Sequence, residues 1–200
     1  MRRVAFFGLG AMGAPMAARL AGTGAAVAPF ERDPAALARW RESHAGGGFG
    51  VPEADVVVTC VTDEAAFAAL APQVLGELSR GALWIDHTTA SPATARELAE
   101  RCADAGAGFV DAPVSGGPEG AASGALVVMA GGDAVDVARA RPVLDAYAAR
   151  IVHLGPPGSG QLAKLANQVA IAGTVRGLAE AVALARAGGV GVAALLDALG

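Results

Sequence analysis

With 200 residues, 54 % of them hydrophobic and 17 % charged, the chain has the apolar mass for a buried core and too little charge for a disordered polymer. Its net charge of −4, with arginines scattered along the chain, argues against a nucleic-acid partner, which needs a basic face. Cys60 and Cys102 are too few and too far apart for a disulfide framework or a zinc site, so a reducing, cytoplasmic setting is expected.

Taken in chain order, the pattern predicts a strand at 4–7, a helix at 12–21 and a strand at 27–30. A helix follows at 34–43, with Asp33 as its N-cap and Pro34 in its first turn. The apolar run at 55–61 reads as a strand covered on both faces, and Cys60 within it as a small buried thiol. Next come a helix at 64–78, a strand at 83–86 and a helix at 92–105 capped by Ser91. Strands at 109–111 and 126–130, a helix at 135–148 and a strand at 151–154 complete the alternation. Such alternation implies parallel βαβ units in a doubly wound α/β sheet of Rossmann type. After Gly160 no strand returns. A helical period runs over 161–187, Gly188-Gly189 interrupts it, and another helix starts near Val192. Arg176, Glu180 and Arg186 break the apolar stretch after Leu165 and argue against a membrane span. Glycines break the N-terminal apolar stretch, which is expected to be a first strand and not a signal peptide.

Gly8-Leu9-Gly10-Ala11-Met12-Gly13 has the spacing G-x-G-x-x-G directly after a strand and at the opening of a helix. The first glycine permits a tight turn, the second lets backbone approach a pyrophosphate, and the third lets helix and strand pack closely. The helix N-terminus adds unpaired N–H groups facing the phosphates. Glu31, at the end of the next strand, can accept hydrogen bonds from ribose hydroxyls, which favours NAD. Arg32 beside it can pair with the 2′-phosphate of NADP. The expected cofactor is therefore NAD or NADP, with a lean to NAD. The expected domains are a dinucleotide-binding domain at 1–157 and, at 158–200, the start of a helical substrate and oligomerisation domain.

A second cluster, Asp111-Ala112-Pro113-Val114-Ser115-Gly116-Gly117-Pro118-Glu119-Gly120-Ala121, follows a strand on the side of the sheet where α/β ligands bind. Ser115-Gly116-Gly117 would offer successive backbone N–H groups to a carboxylate. The third cluster, GPPGSGQLAKLANQ, carries the only lysine of the chain, Lys164, among fourteen arginines. Reducing an aldehyde needs a group that gives up a proton near neutral pH. Arginine cannot do so, whereas a lysine amine can when burial lowers its pKa. On a helix, Lys164, Asn167 and Gln168 fall at i, i+3 and i+4 and share a face.

Together the blocks GLGAMGAPMAARL, DAPVSGGPEGA and GPPGSGQLAKLANQ resemble the β-hydroxyacid dehydrogenases, and the resemblance runs from Met1 to Gly200. It implies an NAD(P)-dependent interconversion of a small 3-hydroxy acid and its semialdehyde, of the 3-hydroxyisobutyrate or tartronate semialdehyde type. In that family Lys164 corresponds to the catalytic lysine, Ser115, Gly116 and Gly117 to the substrate-carboxylate loop, and Asn167 to a substrate-holding asparagine. Thr89 matches a threonine on the nicotinamide side of the cofactor. Val61 and Thr62 stand where a Leu-Pro pair is commoner. Gln168 departs from a frequent second asparagine and tilts the reading toward the tartronate semialdehyde branch. The resemblance further implies a homodimer or homotetramer and a longer helical domain than this chain contains. The alternative is a truncated, non-catalytic dinucleotide-binding or interaction domain. No carboxylate or histidine cluster has metal-ligand spacing, and a 6-phosphogluconate-type enzyme would need a basic sugar-phosphate pocket that the sequence does not display.

Overall fold

The computed structural model describes residues 2–44 and 47–199, so Met1 and Gly200, the outer bounds of the expected domains, lie outside the described residues. The chain divides into two compact units, Met1–Lys164 and Leu165–Gly200.

In the first unit β1 (Arg3–Phe7), α1 (Gly13–Gly22), β2 (Ala26–Phe30) and α2 (Pro34–Ser43) alternate as expected. They are followed by β3 (Val56–Thr59), α3 (Glu64–Glu77), β4 (Leu83–Asp86), α4 (Pro92–Asp104) and β5 (Gly108–Asp111). Local chemistry sets the helix starts. Asp33 accepts from Ala35 N ahead of Pro34, and Ser91 accepts from Thr94 N ahead of Pro92. Strands β1 to β5 are parallel, in the order β2-β1-β3-β4-β5. Their residues alternate between two cores. Val4, Phe6, Val58 and Ile85 pack with Met16 and Leu20 of α1, while Ala5, Val57 and Trp84 pack with Phe67 of α3 and Leu98 of α4. A sheet buried on both faces explains why these strands read as continuous apolar runs.

Beyond β5 the sheet is no longer purely parallel. β6 (Val114–Ser115) and α5 (Gly117–Ser123) precede β7 (Leu126–Gly131), which runs antiparallel to both β5 and β6. The link from Ser115 to Leu126 is shorter than the dozen or so residues a parallel crossover needs, so the chain returns in the opposite sense. Pro113, with no N–H to give, separates β5 from β6. α6 (Ala134–Leu144) then carries the chain over to β8 (Ala148–Gly155), parallel to β7. The sequence reading missed β6, α5 and a short 3₁₀ turn at Val51–Glu53, all too short to show a period.

α7 (Ser159–Ala187) begins in the first unit and provides, with α8 (Val192–Leu199), the whole of the second. Its end is closed by Gly189 at φ +76° and by Val190 N donating to Ala185 O. Val169, Val175 and Leu184 are 63–76 % exposed, and no residue of α8 is buried. α7 is long and apolar enough to cross a membrane by length and composition, with a mean hydropathy of 1.2 over its most apolar window. The three charges that argued against a span are thus not enough to exclude one on those criteria.

Candidate active site

Because β1 to β5 are parallel, their carboxyl ends open along one edge, and the loops expected to carry function all emerge there. Strand order reverses between β1 and β3, the switch point where α/β proteins hold ligands. Gly8 sits at that point with φ +92°, and its N–H donates to Phe30 O at 2.9 Å. A Cβ on Gly8 would stand 2.2 Å from Cys60 O, and one on Gly13 would stand 1.9 Å from Gly8 O. A Cβ on Gly10 would meet nothing within 4 Å. Packing inside the protein therefore requires glycine at Gly8 and Gly13, but it makes no such demand at Gly10. Open space over bare backbone is what an approaching pyrophosphate needs. α1 begins just beyond without a side-chain cap, which leaves its N-terminus to the loop.

These residues floor a cleft of about 1060 Å³ lined by Gly8, Gly10, Ala11, Met12, Gly13, Glu31, Arg32, Val61 and Thr62. Leu9 instead buries its side chain and gives its N–H to Glu31 Oε2 at 2.7 Å. Glu31 Oε1 accepts from Arg32 N at 2.7 Å and Asp33 N at 3.1 Å. Burial raises the Glu31 pKa, but the three backbone donors outweigh it and hold the carboxyl below its usual range. An ionised carboxylate offers about four lone-pair sites, so a ribose hydroxyl can still be accepted. Cys60, expected as a buried thiol, is only partly buried and lines the cleft; desolvation and the nearby Asp86 push its pKa up to about 12.

A second group assembles around the lysine. Lys164 Nζ donates to Val114 O at 2.8 Å, which sets the amine beside Ser115-Gly116-Gly117. The lysine is half-buried, and burial lowers its pKa. Gly116 adopts φ +125° and, with Gly117, is exposed at the start of α5, which has no side-chain cap. Thr89 is exposed, between the buried Thr88 and Ala90, and Val61 N donates to Thr88 Oγ1 at 3.2 Å. Thr89, Ser115, Gly116, Gly117 and Lys164 do not line the 1060 Å³ cleft. In the second unit Asn167 and Gln168 follow on the same unbroken helix. The Nδ2 of Asn167 is buried without a hydrogen-bond partner among the described residues, and Gln168 is exposed.

Beneath the loops lies a buried polar layer that the sequence reading valued only in part. Asp86 ends β4 and Asp111 ends β5, and both brace loops at strand ends. Asp86 accepts from Thr59 Oγ1 at 2.7 Å and Thr88 N at 3.1 Å, and Asp111 accepts from Gly158 N at 2.8 Å and Gln161 N at 2.9 Å. His87 Nδ1 lies 2.6 Å from Ala112 O and Nε2 lies 2.8 Å from the Tyr147 hydroxyl. A carbonyl can only accept, so Nδ1 carries the proton and Tyr147 donates to Nε2. Burial depresses the His87 pKa to about 4, which keeps the ring neutral. Gln161 lies inside the third block but was given no role of its own there, and Tyr147 carried no motif signal.

Burial pushes the Asp86 pKa up to about 7 against its hydrogen bonds. The folded state therefore holds a proton that the unfolded state releases near pH 3.8–3.9, and stability from this group falls as pH rises between about 4 and 7. Urea titrations of Asp86→Asn and wild type across that range should diverge in favour of the variant as pH rises. Parallel curves would show that Asp86 is ionised throughout.

Comparison with known proteins places this geometry among oxidoreductases. Residues 3–155 match the model of the NAD binding domain of 6-phosphogluconate dehydrogenase. A probable 3-hydroxyisobutyrate dehydrogenase of Mycobacterium tuberculosis is 39 % identical over 100 % of this chain and 69 % of its own length. An NAD-dependent L-serine dehydrogenase of Pseudomonas aeruginosa is 36 % identical over 95 % of this chain and 66 % of its own. The solved structure of Mycobacterium tuberculosis 3-hydroxyisobutyrate dehydrogenase with L-serine superposes with a TM-score of 0.92 at 38 % identity, covering 100 % of this chain and 70 % of that one. The chain thus spans about two thirds of the length of these relatives.

Proposed function

The chain belongs to the β-hydroxyacid dehydrogenase family of NAD(P)-dependent oxidoreductases, and from that premise we propose that it interconverts a small 3-hydroxy acid and its semialdehyde with Lys164 as the proton-transferring group. The observation that carries the reading is the 2.8 Å bond from Lys164 Nζ to Val114 O, which puts a half-buried amine next to a glycine-rich loop suited to a carboxylate.

When bound, the nicotinamide supplies hydride exchange at the carbinol carbon. In oxidation, neutral Lys164 accepts the hydroxyl proton as the carbonyl forms; in reduction, the ammonium returns it to the developing alkoxide. Burial favours the neutral amine, so both forms are accessible closer to neutrality than for a solvated lysine. Backbone N–H groups of Ser115, Gly116 and Gly117 hold the substrate carboxylate. Asn167 is proposed to help hold the substrate because it matches the family's substrate-holding asparagine, with Gln168 beside it in sequence. Gly8 to Gly13 seat the pyrophosphate. Glu31 would take the ribose hydroxyls and favour NAD; Arg32, Val61 and Thr62 would contact the cofactor from the cleft wall, and Thr89 would stand on the nicotinamide side.

The substrate proposed first is a 3-hydroxyisobutyrate-type acid, supported by the names of the relatives. Gln168 keeps the tartronate semialdehyde pair in consideration. The cytoplasm is the proposed location. Self-association is proposed as well, supported by the exposed Val169, Val175 and Leu184. The decisive experiment is a panel of 3-hydroxyisobutyrate, glycerate and L-serine, each assayed with NAD and NADP. NAD-linked oxidation of at least one acid is expected. Cofactor binding without turnover on any would instead favour a nucleotide-binding module.

A further inference from the structure

Gln161 bonds to both of the neighbouring loops on which the candidate site depends. Its side chain is fully buried. Nε2 donates to Thr88 O at 2.6 Å and Oε1 accepts from Ala90 N at 3.0 Å, so the amide brackets Thr89 from both sides. The two bonds fix the amide orientation, since the nitrogen must face the carbonyl and the oxygen the N–H. Its own backbone N–H donates to Asp111 Oδ2 at 2.9 Å, while Asp111 Oδ1 takes Gly158 N at 2.8 Å. Asp111 ends β5 and leads into the Val114–Ser115 stretch whose carbonyl holds Lys164. Less than one helical turn separates Gln161 from Lys164, and Gly160 leaves no slack: a Cβ there would stand 2.3 Å from Met129 O and 2.6 Å from Asp111 O.

From this geometry we infer that Gln161 is a positioning residue that locks the Thr88–Ala90 loop, the Asp111 loop and the first turn of α7 into one rigid frame. That frame sets the height of the Lys164 amine relative to the residue expected beside the nicotinamide. The inference rests on the reading of Lys164 as the proton-transferring group. A side chain that served packing alone would need no polar atoms here, and burying an amide costs free energy unless both ends are paired. Both ends are paired to backbone, which cannot drift without moving the loops.

Because Lys164 is the only lysine, isotope labelling of lysine gives a single side-chain signal whose titration can be followed by NMR in the intact chain. Gln161→Met keeps the length and removes both bonds. It is expected to raise the Lys164 titration point toward that of a solvated lysine and to lower kcat by at least about tenfold, with KM for the hydroxy acid changed less than about threefold, the pattern of lost transition-state positioning. Gln161→Glu keeps the shape. Burial and the adjoining Asp111 favour its neutral form, which can donate to Thr88 O and accept from Ala90 N. This variant should therefore match wild type at acidic pH and approach the methionine variant as pH rises. It also provides the test should the methionine variant fail to fold. A folded methionine variant with wild-type kcat and an unmoved lysine titration would overturn the inference, as would a glutamate variant impaired equally at every pH. If Lys164→Arg were fully active, the proton-transfer reading would fall, while the lysine titration in the Gln161 variants would still decide whether the frame exists.

Discussion

Lys164→Arg is expected to lower kcat by about 10²–10⁴-fold, the usual contribution of a positioned general acid or base. Arginine keeps the positive charge and much of the stem, so it can still donate to Val114 O and preserve the contact now made at 2.8 Å. What it lacks is a neutral form at any pH the fold survives. The substitution thus removes proton transfer while sparing electrostatics and packing. Dinucleotide affinity should stay within about threefold of wild type, below 1 kcal/mol, because the cleft lined by Gly8 to Gly13 and Glu31 does not include the lysine. Stopped-flow hydride transfer and fluorescence titration of the reduced cofactor measure the two quantities separately. The kcat profile of the wild type should also rise with pH in the oxidation direction through a titration below that of ordinary lysine, since burial disfavours the ammonium. An arginine variant that turns over normally would remove Lys164 from the chemistry and leave the carboxylate loop without its proton partner.

Most of the parallel half of the fold was legible because each element carried a strong local signal. The helix at Pro34–Ser43 announced itself through Asp33 and Pro34, and the strand at Leu83–Asp86 through an apolar run ended by an aspartate. β6 and α5 were invisible for the opposite reason. Val114–Ser115 is two residues long, and Gly117–Ser123 is seven residues of mostly glycine, proline and alanine with no large apolar side chain, so neither has a period to detect. Their formation depends on β7, a partner later in the chain. The antiparallel turn of β7 likewise follows from the short link before it, and alternation of elements alone does not encode strand sense.

The candidate site shows the same division. The glycine loop and the lysine segment were legible because the roles proposed for them, close approach of backbone to a phosphate and loss of a proton by an amine, restrict residue type locally. Gln161 and Tyr147 were overlooked because their importance lies in partners far away in sequence: Thr88 and Ala90 for the first, His87 for the second. A lone glutamine one turn from a lysine has no spacing rule. Only the fold, by burying it completely, turns its amide into a constraint.

Substitution of the glycine loop should separate protein packing from cofactor recognition. Gly13→Ala would force a Cβ to within 1.9 Å of Gly8 O, a backbone atom pinned by the Gly8 N–H bond to Phe30 O. Neither side can yield without opening the junction of β1, α1 and β2, so a loss of roughly 3–5 kcal/mol of stability is expected, at the severe end for one substitution. Gly10→Ala meets nothing within 4 Å and lies outside the left-handed region. The folded protein should tolerate it, with stability unchanged or raised by about 0.5 kcal/mol through a stiffer unfolded chain. The same methyl would occupy the space over bare backbone assigned to the pyrophosphate. Dinucleotide affinity should then fall at least about tenfold, or roughly 1.4 kcal/mol, with the melting temperature intact. Thermal unfolding followed by calorimetric titration reads both effects on one sample. Wild-type affinity in Gly10→Ala would mean that no phosphate approaches that backbone, and the glycine triad would then be a packing device at all three positions.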